Sequence, residues 1–139
     1  LGDGAYADVL YPDHDVSRLR ATNDASIVLQ VVYGETSFML TGDMPSTIED
    51  KLVASVSPES LKSDVLKAGH HGSKYSTNDG WLRAVAPSTV VISAGKGNTY
   101  GHPAPEVLAR VQKFGARLLS TIDSGTIIFE SDGHGIRQK

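Results

Sequence analysis

Val90-Val91-Ile92, then after a polar stretch Pro103-Ala104-Pro105-Glu106-Val107-Leu108-Ala109-Arg110-Val111-Gln112-Lys113-Phe114-Gly115, and finally Arg117-Leu118-Leu119, decide the fold class. The first run is short, β-branched and free of polar alternation, as in a strand buried on both faces. In the second, Pro103 and Pro105 open a helix, Val107, Leu108, Val111 and Phe114 form its apolar stripe, and Gly115 stands where a left-handed cap is expected. A weaker strand follows at Arg117 to Leu119, and strand, helix and strand in succession make an α/β layer.

The same alternation extends upstream. Val65-Leu66-Lys67 is a short strand bounded by polar residues, and about Asn78 to Ala86 a helix carrying Trp81, Leu82 and Val85 stops at Pro87. Ser73 and Ser76 are candidate caps for it. Before these, Ser46 with Glu49 three residues on reads as a capping box, opening a helix with Ile48, Leu52, Val53 and Val56 mostly on one face. Ile27 to Tyr33 and Phe38-Met39-Leu40 flank Gly34-Glu35-Thr36 as a β-hairpin, and Tyr6 to Leu10 is a further strand. Thr126 to Phe129 is read as a strand of a pair around Asp123-Ser124-Gly125, with Gly133 to Lys139 a frayed tail. The expectation is a mixed β-sheet with about three helices in one domain, residues 1–132, without repeats or linkers.

At 139 residues with 40% hydrophobic content, the chain suits one core and not two. Thirteen Lys plus Arg against 16 Asp plus Glu leave a charge of −3, which excludes a strongly basic nucleic-acid binder but not a local basic patch. There is no cysteine, so a metal would be held by His, Asp or Glu. No apolar run approaches the roughly 20 residues that cross a bilayer, so the piece is expected to be soluble by itself. Its start at Leu1 rather than Met suggests a segment of a longer polypeptide.

Three polar clusters each follow a strand end, where open α/β sheets place their ligand crevice. They are Leu40-Thr41-Gly42-Asp43, Lys67-Ala68-Gly69-His70-His71-Gly72-Ser73 and Asn98-Thr99-Tyr100-Gly101-His102-Pro103. One carboxylate and up to three imidazoles suit zinc or manganese, and a bridging carboxylate can hold two cations that activate water against a phosphodiester. Each residue also has a plainer reading: Asp43 as a turn or cap residue, His102 as the residue before a helix with Asn98 in an Asx turn, Lys74 as a solvated charge. Asp13-His14-Asp15 reads as a surface loop, and His134 as exposed. No Walker-type loop or Gly-x-Ser-x-Gly elbow occurs, which argues against an NTPase or a serine hydrolase.

Taken in order, these clusters resemble the metallo-β-lactamase fold, and more narrowly the hydrolase-like domain of ComEC-type DNA-uptake (competence) proteins. The matching stretches are Asn23 to Leu29, Leu40 to Asp43, Lys67 to Ser73, Ile92-Ser93, Asn98 to Pro103 and Asp123 to Ile127, so the resemblance covers about Ala21 to Phe129. It implies that Asp43 bridges two metals and that one of His70 and His71 binds metal while the other contacts substrate phosphate. It also sets His102 near metal or phosphate and makes Ser73 and Asn98 substrate-binding residues. Asn23 and Ser26 stand near where many relatives carry another metal-binding histidine. The fold's signature His-x-His-x-Asp-His, or its His-x-Asp-x-Asp-His variant, occurs nowhere in these residues. Relatives carry it upstream, so the chain resembles the second half of an αββα sandwich.

The resemblance therefore implies the C-terminal part of a metal-dependent nuclease or phosphodiesterase acting in DNA uptake. Its partners would be single-stranded DNA and the membrane-channel domains of the same polypeptide. Zinc or manganese would occupy a two-metal site in the complete domain, and this piece alone is expected to be inactive and largely metal-free. Alternative readings are a phosphodiesterase acting on a small or cell-wall phosphoester such as phosphorylcholine, and an inactive docking module of the same fold. Halving the sandwich would uncover an apolar sheet face, from which a homodimer is expected.

Overall fold

The computed structural model describes residues 2, 4–19 and 21–139. Strand β1 (Tyr6–Tyr11) runs antiparallel to β2 (Val28–Tyr33), which turns through Gly34 and Glu35 into β3 (Thr36–Leu40). From β3 onward the pairing is parallel, through β4 (Val65–Lys67), β5 (Thr89–Ile92) and β6 (Arg117–Ser120), so the six strands lie in chain order. Each parallel step contains a helical crossover: α1 (Ser46–Ser55) with the single turn α2 (Pro58–Leu61), then α3 (Asp79–Val85), then α4 (Pro105–Phe114). Neighbouring crossovers of the same right hand stack their helices on one face of a sheet. Accordingly α1 and α2 both meet α3, and α3 meets α4.

Under those helices lies the core. Val28, Met39, Leu66, Val90 and Ile92 from the strands pack with Leu52, Leu61, Trp81, Leu82, Val85, Val107 and Val111 from the helices, all buried. Side chains alternate along a strand, so the residues between these point to the opposite face. There Val9, Leu29 and Leu40 stand in register across β1, β2 and β3, with Val9 60% and Leu40 39% exposed. Only one end of that face is covered among the described residues, by a ribbon of β7 (Phe129–Ser131) and β8 (Ile136–Gln138).

The α/β layering and the three expected helices are present, but several local readings are corrected. Ser46 is not a side-chain cap, since Pro45 occupies the N-cap position of α1 without a side-chain bond, and the Glu49 carboxylate is buried elsewhere. Asn78, rather than Ser73 or Ser76, caps α3 by accepting the Trp81 N–H at 2.8 Å. No hairpin turn forms at Asp123: Thr121–Ser124 is a helical turn, α5, whose N-cap Ser120 accepts the Ile122 N–H. Instead, Phe129 begins a strand that pairs with the segment read as a frayed tail. That tail is tied down by long-range bonds. Thr36 and Ser131 hydroxyls meet at 2.6 Å, Gly133 O accepts the Glu35 N–H at 2.6 Å, and Arg117 bonds Gln138 at 2.8 Å.

Candidate functional site

Because β3, β4 and β5 are parallel neighbours, the three clusters that follow them lie along one rim of the sheet. Cross-links draw them closer. Thr41 Oγ1 donates to Lys67 O at 2.8 Å, and His70 N donates to Gly42 O at 3.2 Å, so the Asp43 turn and the histidine turn share a seam. Ala104 N donates to Gly72 O at 2.8 Å and joins the third cluster. His70 (φ 46°) and His71 (φ 56°) are both left-handed, a conformation costing about 1–3 kcal/mol for each non-glycine residue. Glycines on either side let this strained turn pack tightly. A Cβ on Gly69 would stand 2.7 Å from Met44 O, and one on Gly72 would stand 2.9 Å from Pro103 Cβ.

The strain separates the two imidazoles. His71 Nδ1 lies 2.5 Å from Ser93 O, and a carbonyl only accepts, so Nδ1 carries the proton. Its Nε2 then faces Asp43 Oδ1 at 3.4 Å. With Nδ1 engaged by the carbonyl, Nε2 turns its lone pair toward the Asp43 carboxylate, so two potential ligand atoms face one another. His70 turns the other way. Its ring nitrogens each lie 3.4 Å from Asn23 Nδ2, and its ring meets His102 edge-on at 5.6 Å.

His102 is half-buried, and its Nδ1 is fully buried without a hydrogen-bond partner among the described residues. Leaving such an atom unsatisfied costs about 1–3 kcal/mol. Burial holds the His102 pKa below its ordinary value, and the neighbouring His70 and His71 push it further down against the opposing pull of Asp43. Asn98 grips the His102 backbone from both sides, donating to its O at 2.6 Å and accepting its N–H at 3.0 Å. Tyr100 stacks on the His102 ring at 6.1 Å and 19°. His71, Ala94, Asn98, Tyr100 and His102 line a cleft of about 190 Å³.

The expected site residues thus fall into two groups. Asp43, His71 and His102 frame the rim with His70 beside them, whereas Ser73 is buried and its hydroxyl accepts the Tyr75 N–H, bracing the loop. Among the described residues no three His, Cys, Asp or Glu side chains gather closely enough to enclose a metal ion, and a closed zinc site has four ligands. Asp43 and His71 fit a part of such a site, and more donors are needed to complete it. Asp13 and His14 form an exposed surface pair, and His134 is exposed, as expected.

No family model matches the chain. Over 105 residues, 76% of the chain, it is 45% identical to ComE operon protein 3 of Bacillus subtilis. Over 115 residues, 83% of the chain, it is 39% identical to competence protein ComA of Neisseria gonorrhoeae. Over 124 residues, 89% of the chain, it is 34% identical to recombination protein 2 of Haemophilus influenzae. Its homologues are ComEC-type competence proteins. The matched segments make up 13%, 16% and 15% of those three proteins. Among the described residues no helix is long and apolar enough to cross a membrane.

In this homologue of competence proteins, residue-type reasoning passed over three contributors. Lys67 Nζ donates to Gly42 O at 3.0 Å and Ala68 O at 3.2 Å, and burial lowers its pKa against the opposing pull of Asp43. Its alkyl stem sits in a strand that reads as apolar, which hid the ammonium's position. Ser26 Oγ accepts the Asp43 N–H at 3.1 Å and orients that turn. Glu49 holds the far end of the histidine loop, accepting the Thr77 N–H through Oε1 and the Asn78 N–H at 2.8 Å through Oε2. A brace on the segment before α3, supplied from α1, leaves no mark at local spacing.

Proposed function

We propose that the chain is part of a metal-dependent phosphodiesterase of the metallo-β-lactamase fold, which acts on single-stranded DNA during uptake in competence. The observation that carries this reading is the 3.4 Å approach of His71 Nε2 to Asp43 Oδ1, with His71 Nδ1 engaged by Ser93 O. A histidine that binds metal through one nitrogen characteristically donates the other N–H to a carbonyl or carboxylate. Ligand atoms about 2.0–2.2 Å from a tetrahedral zinc stand roughly 3.3–3.6 Å apart, the spacing found here. Asp43 and His71 would hold the metal, and a longer polypeptide would supply the remaining ligands. A zinc or manganese ion bound there supplies Lewis acidity and a water acidic enough to ionise near neutrality.

The chain's own residues handle the phosphate. His70 and His102 present imidazoles beside the Asp43–His71 pair, and Lys67 brings an ammonium to the same seam. Lys67 to Thr77 and Gly95 to Gly101 together carry three lysines and no acid, so a weakly acidic chain presents a locally basic rim to a polyanion. Attachment to membrane-channel domains belongs to the same proposal, supported by the small share of its homologues that this chain spans.

The test uses the longer polypeptide containing this chain, with manganese or zinc and end-labelled single-stranded DNA. Cleavage is expected, with Asp43→Ala and His71→Ala each reducing it on the order of 10²-fold or more. Undiminished cleavage in both variants would overturn the reading.

A further inference from the structure

Tyr100 stands at the tip of the loop between β5 and α4 and is 82% exposed. Exposing a large aromatic ring to water is unfavourable, and this ring contributes nothing to the core. The loop that carries it is nonetheless held in place. Asn98 Nδ2 donates to Gly95 O at 2.9 Å and to His102 O at 2.6 Å, closing the loop on itself. The Tyr100 ring lies nearly parallel to the His102 ring, centroids 6.1 Å apart, at the edge of the cleft it shares with His71. An aromatic carried on a braced loop beside a phosphate-handling site lowers the entropy cost of stacking a planar ligand. Lys96, exposed in the same loop, adds positive charge where a chain of phosphates would continue.

We infer that Tyr100 is a specificity-determining residue that stacks a nucleobase of a single-stranded polynucleotide, seating the adjoining phosphate toward His102 and His71. The inference rests on the proposed phosphodiesterase reading and deepens it. It makes the site selective for substrates bearing a base next to the phosphodiester, and disfavours simple phosphoesters. Aromatic stacking accepts any base, so little sequence preference follows.

The test is a binding measurement without metal, so its outcome is independent of whether hydrolysis is reconstituted. Fluorescein-labelled dT12 and an abasic dodecamer of the same charge are titrated at low salt with the 139-residue chain and with Tyr100→Ala, Tyr100→Phe and Tyr100→Trp. The wild-type chain is expected to prefer dT12. Tyr100→Ala should lose roughly 10- to 100-fold for dT12 and nothing for the abasic strand. Phe and Trp should retain the preference, because the ring and not the hydroxyl carries it. A wild-type chain that binds dT12 no better than the abasic strand overturns the inference, as does an Ala variant that keeps the preference. Loss of DNA cleavage in Asp43→Ala speaks to the phosphodiesterase reading alone.

Discussion

The Glu49 carboxylate accepts the backbone N–H of Asn78 at 2.8 Å, so a side chain from α1 anchors the end of the loop that begins at Gly69. Its other oxygen takes the Thr77 N–H, at a left-handed residue (φ 53°), while Arg110 donates to Ser76 O at 3.0 Å and Thr77 O at 2.7 Å. The histidine turn thus hangs between the Gly42 seam and a buried carboxyl anchor. Truncating the anchor in Glu49→Ala strands one buried and one half-buried donor and should cost about 3 kcal/mol, measured by urea denaturation.

Burial raises the Glu49 pKa from 4.5 to about 7, with the two N–H bonds opposing the shift. A carboxyl whose pKa is raised on folding contributes stability that is complete below its unfolded value and lost as pH climbs through the folded one. Between pH 4.5 and 7 the Glu49 contribution should therefore fall by about 3 kcal/mol. Comparing Glu49→Gln with wild type at pH 4.5 and 7.5 isolates it, because the variant lacks this slope. Equal slopes in the two proteins would contradict it.

Manganese should find Asp43 and His71 before any other histidine of the isolated chain. Proton NMR with increasing Mn²⁺ is expected to broaden the His71 ring resonances ahead of those of His14 and His134, and Asp43→Ala should remove that order. Both side chains are half-exposed, so the substitution should change stability by less than about 1 kcal/mol.

Gly72→Ala places a Cβ 2.9 Å from Pro103 Cβ on a backbone at φ 81°. Strain of that kind costs about 1–3 kcal/mol, with a lower Tm as the readout. Gly95→Ala, where nothing lies within 4 Å and φ is not positive, should leave Tm nearly unchanged.

The sheet face bearing Val9, Leu29 and Leu40 is expected to pair with a second copy of the chain when the chain is isolated. Sedimentation velocity at high concentration should show a dimer that Val9→Lys with Leu29→Lys converts to monomer. A wild-type monomer under the same conditions would contradict it.

Strand and helix order was readable from Val65 to Leu119, because buried β runs, the α4 stripe and Gly115 are signals confined to a few neighbouring residues. The chemical types of the rim were readable for the same reason. Local spacing misled at Ser46 and Glu49: three residues apart matches a capping box, but a carboxylate that reaches the N–H groups of Thr77 and Asn78, just ahead of another helix, gains more by satisfying them. It misled again at Gly133 to Lys139, whose pairing depends on Thr36, Glu35 and Arg117 far upstream. The different directions of the His70 and His71 rings rest on two consecutive left-handed residues, held where the His70 N–H meets the Gly42 carbonyl and the His71 ring meets the Ser93 carbonyl, just past β3 and β5. Residue type and periodicity act between near neighbours and are written in chain order. Which donor meets which acceptor across 20 to 100 residues is settled by burial and packing once the sheet has assembled.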